Sequence, residues 1–219
     1  MRLKSLFLFI LITFCSSILS YAGQKVTVLF TSDVHSSAEN YAKIASIIEQ
    51  KKKLSGREGS ALLVLDAGDI AMGSVFHCAI DSHAFEYRAM ARMGYDAIAY
   101  GNHDFDFGED ALCNMYLSAW QRDSLLNFPS LLSVNLYCQK VSSTFTKGGK
   151  AYLGKYRIFD RGGLKIGVFG VMGEDAYNVV GRDRDKLVFT NAIEESKKVV
   201  KELKSKGVDY IIAISHGGT

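Results

Sequence analysis

The stretch "DAIAYGNHDFDFG", residues 96–108, decides the fold. A short apolar, strand-like run passes directly into a turn that carries Asn102, His103, Asp104 and Asp106 between Gly101 and Gly108. Asn, His and Asp are the residues that bind cations and move protons, and glycine lets a backbone turn sharply enough to present them. Such a turn at the end of a buried strand has a use in an open α/β sheet, where sites lie beyond the carboxyl ends of the strands.

The arrangement recurs elsewhere in the chain. "VTVLFTSDVH" (26–35) ends in Asp33 and His35, "ALLVLDAGD" (61–69) in Asp69, and "DYIIAISHGG" (209–218) in His216. Taken singly, an Asp after a strand is a turn residue or N-cap, and a His is a hydrogen-bonded structural residue. Taken together, they put oxygen and imidazole donors at successive strand ends, which predicts that the loops converge. Mixed N and O donors without thiolate suit Mn, Zn, Fe, Co or Ni. A carboxylate can bridge two such ions, which at about 3.5–4 Å apart clamp a phosphoryl group and generate a bridging hydroxide as nucleophile.

Between these segments helices alternate with strands. "ENYAKIASIIEQKKKL" (39–54) sets Tyr41, Ile44, Ala45 and Ile48 on one helical face, with Lys51 to Lys53 in its last turn. "ALLVLD" is continuously apolar, as a strand covered on both faces requires. Further helices are expected over about 82–93, 109–120 and 191–205, with strands at "LLSVN" (131–135) and 209–215. "KYRIFDRGGLKIGVFGV" (155–171) predicts a hairpin turning at Gly162-Gly163. Alternation of this kind predicts a layered α/β fold in one domain.

The first segment, "MRLKSLFLFILITFCSSILSYAGQ", is set apart as a signal peptide over residues 1–22. Arg2 and Lys4 supply the positive end, Leu6 to Phe14 the apolar stretch, and Ser20-Tyr21-Ala22 the cleavage site. Its apolar run is short for a membrane span. Bulky Phe14 argues against lipid attachment at Cys15. Export to the periplasm, the outside or the cell surface follows, with no stable membrane span after cleavage. Loss of Arg2 and Lys4 lowers the formal charge from +3 to +1, and no basic stripe with interleaved aromatics suggests a nucleic-acid partner. Cys78, Cys113 and Cys138 lack zinc-knuckle spacing and are expected as small buried hydrophobes with room for one disulfide.

In the order DxH, GD, GNH[DE] and a late His, the sequence resembles the calcineurin-like metallophosphoesterases. "GNHDFDFG", "LDAGDIAMGS" and "GLKIGVFGV" resemble the secreted bacterial 5′-nucleotidase and UDP-sugar hydrolase branch. The resemblance implies a layered α-β-β-α sandwich and two divalent metal ions. It implies that Asp33 and His35 bind one metal, Asp69 bridges, and Asn102 and His216 bind the second. Asn102 and His103 would contact the substrate phosphate, and Asp106 would orient His103 as a proton donor. Asp104 is expected to cap the turn. The family pattern adds a GHxH or GHxQ segment and a C-terminal substrate-binding domain, neither of which follows in these 219 residues. The sandwich over 23–219 is therefore expected to be incomplete at its C-terminus, with one sheet edge open. His77 and His83 are expected as loop or helix-start residues.

The expected activity is hydrolysis of phosphomonoesters, 5′-nucleotides or nucleotide sugars. The alternatives are cyclic-nucleotide or sulfur-ester hydrolysis on the same scaffold, and a non-catalytic metal-binding remnant. Specificity in this fold resides in loops and the second domain.

Overall fold

The computed structural model describes residues 24–79, 83–138 and 153–217. Its principal sheet has five parallel strands in the order β1 (Val26–Thr31), β2 (Ala61–Asp66), β3 (Ala97–Ala99), β4 (Ser130–Leu132) and β6 (Leu153–Gly154). A second sheet has the order β10 (Tyr210–His216), β8 (Leu164–Met172), β7 (Tyr156–Arg161). In it β10 runs parallel to β8, and β7 pairs antiparallel to β8 through a turn at Gly162-Gly163. β5 (Leu136–Cys138) and β9 (Leu187–Phe189) form a separate antiparallel ribbon.

The two main sheets face each other across a dry core. Ala61, Leu63, Leu65, Ala97, Ala99 and Leu132 from the first meet Phe159, Leu164, Ile166, Val168 and Ile214 from the second. Helices α1 (Ala38–Glu58), α2 (Phe85–Met93) and α3 (Gly108–Arg122) cover the outer face of the first sheet. The short helix α4 (Glu174–Asn178) follows β8, and α5 (Ala192–Ser205) covers the outer face of the second sheet through Val199 and Leu203. The layers are thus α-β-β-α. Because β2 is covered on both sides, its unbroken apolar sequence is what burial demands.

Several expected elements shift in extent. α1 continues to Glu58 and stops at Gly59, which takes the left-handed conformation and donates its N–H to Ser55 O. The lysine run 51–53 therefore lies in mid-helix, and Arg57 occupies the last turn. The strand expected at 131–135 stops at Leu132. The buried Asn135 side chain instead accepts from Met172 N at 3.0 Å and donates to Met172 O at 2.8 Å, so a side-chain amide takes over from the backbone ladder there. The ribbon and α4 were not foreseen, since three- to five-residue elements carry too little periodicity. Cys113 is free and buried as expected, but Cys78 is free and exposed. The side chain of Cys138 lies outside the described residues, as does the whole signal peptide. Among the described residues no helix is long and apolar enough to cross a membrane.

β1 forms one edge of the first sheet. Val26 packs against the inter-sheet core, but Val28 and Phe30, two and four residues on along the same face, do not join it. Phe30 is 76% exposed, and among the described residues no strand of the second sheet lies over it. Among the described residues β10 is likewise an edge. Removing a fully enclosed inter-sheet side chain should cost far more than removing Phe30. Urea unfolding of Leu65→Ala should show a loss of about 2–5 kcal/mol. Phe30→Ala should change stability by less than about 1 kcal/mol.

Candidate metal and phosphoester site

The carboxyl ends of β1, β2, β3 and β10 bring their loops together. Beyond the last strand pair, Thr31 with Asp66, the first two loops continue to bond. Asp33 N donates to Gly68 O at 3.0 Å, His35 N to Asp69 O at 3.1 Å and Ser36 N to Ile70 O at 3.0 Å. Asp33, His35, Ser36 and Asp69 have φ between 48° and 57°, the left-handed region. Asp and His tolerate that region better than most side chains, but each such residue still costs on the order of 1 kcal/mol. Strain at donor-bearing residues is a mark of a site.

The third loop closes on the second. A Cβ at Gly101 would run into the Asp69 carboxylate and backbone, so glycine is required there for close approach rather than for a positive φ. Gly108 does adopt a positive φ, 85°. Asp104 does more than cap its turn. Its carboxylate accepts from Gly101 N at 2.9 Å, Ile70 N at 3.2 Å and Asp69 N at 3.3 Å, which ties the two loops together.

At the centre stands Asp69, 2% exposed. Its Oδ1 accepts the His103 backbone N–H at 2.8 Å. Its Oδ2 lies 3.3 Å from His216 Nε2 and 3.9 Å from His35 Nε2. His35 Nε2 is also 3.7 Å from Asp33 Oδ1. His216 Nε2 lies 3.1 Å from Asn102 Oδ1, while its Nδ1–H donates to the Ala67 carbonyl at 3.1 Å. Asp33, Asp69 and His216 each offer a ligand atom within 4.8 Å of the others. All five expected donors, Asp33, His35, Asp69, Asn102 and His216, therefore lie in one neighbourhood.

The donor chemistry fits a cation. With Nδ1–H committed to a carbonyl, the second nitrogen of His216 faces oxygens of Asp69 and Asn102. A lone pair pointed at two oxygens needs a proton or a metal between them, and a backbone carbonyl on the far nitrogen is the usual support for a ligating imidazole. His103 and Asp106 form a second close pair. The His103 Nδ1 lies 3.0 Å from Asp106 Oδ2, which leaves Nε2 for a substrate, and its ring meets His35 edge-on at 5.3 Å.

The charges are strongly coupled. For Asp69, burial opposes ionisation, but the His216 hydrogen bond and charge and the His103 N–H outweigh it and hold its pKa below the ordinary value. For His216, burial disfavours the cation, and the bond and charge of Asp69, with Asp33 and Asp104 behind, raise its pKa nonetheless. Burial and the Asp69 charge push Asp104 up to about 7 against the pull of its amide donors. Buried Asp66, which accepts from Thr31 Oγ1 at 2.5 Å and Gly68 N at 2.8 Å, is also pushed to about 7, chiefly by burial. Asp66 was not singled out from the sequence, where it reads only as the end of an apolar run.

The calcineurin-like phosphoesterase family matches residues 26–219, and the chain belongs to that family. Among its relatives, the 5′-nucleotidase of Vibrio cholerae is 32% identical over 203 residues, covering 89% of this chain and 34% of that protein. Protein UshA of Escherichia coli is 30% identical over 203 residues, with the same coverage of 89% and 34%. The chain thus spans about a third of the length of these relatives. The fold is shared with the 5′-nucleotidase precursor of Thermus thermophilus, at TM-score 0.69 and 23% identity, over 88% of this chain and 37% of that one. It is shared also with the sulfate thiohydrolase SoxB of Thermus thermophilus, at TM-score 0.64 and 15% identity, over 89% of this chain and 44% of that one. Fold alone therefore does not choose the ester.

The pKa shifts predict how metal-free stability depends on pH. Asp66 and Asp104 carry folded pKa values above the ordinary 3.8, so the folded state holds their protons while the unfolded chain ionises. Stability from this source is lost as pH rises from about 4 to about 7. The raised pKa of His216 adds stability that is full below the ordinary 6.5 and is lost as pH rises through the folded value. Asp69 acts oppositely, but only as pH falls below 3.8. In EDTA, the melting temperature should be several degrees higher near pH 5.5 than near pH 8, and Asp66→Asn should flatten the profile.

Proposed function

We propose that this chain is the metal-binding catalytic portion of an exported phosphoesterase that hydrolyses phosphomonoesters, with 5′-nucleotides or nucleotide sugars as substrates. The observation that carries the reading is His216, whose Nε2 converges with Asp69 and Asn102 from other loops while its Nδ1–H is pinned to Ala67 O. The nucleotide class rests on the names of the relatives, 5′-nucleotidase foremost.

In this reading Asp33 and His35 would hold one divalent cation and Asn102 and His216 a second, with Asp69 available to both. Cations held there supply Lewis-acid polarisation of the phosphoryl group and lower the pKa of water. The protein's own groups do the remaining work. Asp106 orients the His103 ring through Nδ1, so that Nε2, when it carries a proton, can hydrogen-bond a phosphoryl oxygen or protonate the departing oxygen. Asn102 and His103, adjacent on the tight turn, meet the phosphate from one side. Asp104 and Gly101 hold that turn against Asp69, which limits the motion available to both.

The exposed Val28 and Phe30, and the position of β10 at a sheet edge among the described residues, support a further expectation. A strand added beside β10 would cover that apolar face, and it is where additional ligands would enter. Signal-peptide cleavage near Ala22 would release the chain from the export machinery.

With Mn2+ or Zn2+, the protein extended by such a segment should release inorganic phosphate from AMP, and EDTA should abolish the release. Asp69→Ala should abolish turnover, and full activity in that variant would refute the assignment. His103→Ala should lower kcat by about 100-fold or more, and Asp106→Asn by a smaller factor.

A further inference from the structure

Beyond the Asp69 loop, the stretch from Gly73 to the first turn of α2 supplies none of the proposed ligands, yet two of its side chains reach three of the ligand-bearing loops. Glu86, in the first turn of α2, is 0% exposed, and its Oε1 accepts the hydroxyl of Ser36 at 2.6 Å. Ser36 follows His35 directly. Both residues have left-handed backbone, at φ 51° and 48°. Two consecutive non-glycine residues in that region persist only where their surroundings over-determine them. The Ser36 N–H bond to Ile70 O fixes the backbone, and the Glu86 bond fixes the side chain beside it.

His77 acts on the neighbouring loops. It is 8% exposed, its Nδ1 accepts the Met72 N–H at 2.9 Å, and its ring stacks on Phe107 with centroids 4.4 Å apart. Met72 lies three residues beyond Asp69, and Phe107 adjoins Asp106. Glu86 Oε2 and His77 Nε2 are both buried without a hydrogen-bond partner among the described residues. An unsatisfied buried polar atom is destabilising, more so when charged. Net stability therefore does not account for Glu86 at this position, whereas a demand for fixed geometry does.

We propose that Glu86 is a positioning residue that, through Ser36, fixes the His35 loop in its cation-binding geometry, while His77 braces the Asp69 and Asp106 loops from the same segment. The proposal rests on the metal reading given above. Its test uses the full chain titrated with Mn2+ by calorimetry, with thermal melts in EDTA to establish folding. Ser36→Ala and Glu86→Ala should each weaken Mn2+ binding about 10-fold or more, and Glu86→Gln, which keeps an acceptor for Ser36, should stay within about 3-fold of wild type. The double variant Ser36→Ala/Glu86→Ala should lose no more than the worse single variant, since both remove one interaction. Should Glu86→Ala fail to fold, Ser36→Ala and Glu86→Gln carry the comparison. Wild-type affinity in Ser36→Ala overturns the positioning role alone, as does a loss in Glu86→Gln equal to that in Ser36→Ala. A wild-type chain that takes up no Mn2+ overturns the metal reading and this proposal with it.

Discussion

The arrangement depends on one enclosed carboxylate. Asp69 is touched by every other donor loop: it receives His103 N–H on one oxygen, faces His35 and His216 with the other, and offers its own carbonyl to His35 N. A buried negative charge in that position is tolerable only because cationic or N–H partners surround it. Each partner comes from a different strand end, so the carboxylate and the sheet geometry require each other. Parallel pairing supplies the convergence, and the charge at its focus gives the convergence a chemical purpose.

Holding the loops that close together takes unusual backbone. Asp33, His35, Ser36 and Asp69 all leave the common conformations, and Gly101 has no room for a side chain. Such features would be defects in a purely structural turn. Here they are opposed by a second ring of contacts, from Asp104, Asp66 and the paired amides of the first two loops. Four left-handed residues thus sit where amide and carboxylate hydrogen bonds cross between the loops, contacts that oppose relaxation of the strained backbone.

Much of this could be read from residue order alone. β2, β8 and β10 announce themselves by apolar runs, and α3 by the spacing of Leu112, Met115, Tyr116 and Ala119, all of which are buried. The donors at strand ends were legible because each pairs a strand signal with a residue type that turns seldom require in combination. What stayed hidden depends on contacts between segments distant in sequence. Asp66 looks like the last residue of a strand, and Asp104 like a cap. Only their burial against neighbouring loops gives them a role. Glu86 sits in an amphipathic helix where Glu is ordinary, and nothing local distinguishes it from a solvated residue. β5, β9 and α4 are too short to leave a periodic trace.

The alignment of β10 has a further consequence. Its residues run from Tyr210 beside Ile166 to His216 beside Met172, paired on a single side among the described residues. Side chains alternate between faces along a strand, so sliding β10 by one residue would turn the His216 imidazole toward the opposite face. Ile212 and Ile214, on the same face, would leave the inter-sheet core with it, so one alignment sets both the apolar layer and the donor ring. A slipped molecule would forfeit core packing together with the ring that reaches from the second sheet to the carbonyl of Ala67, so folding stability itself guards the position of the imidazole.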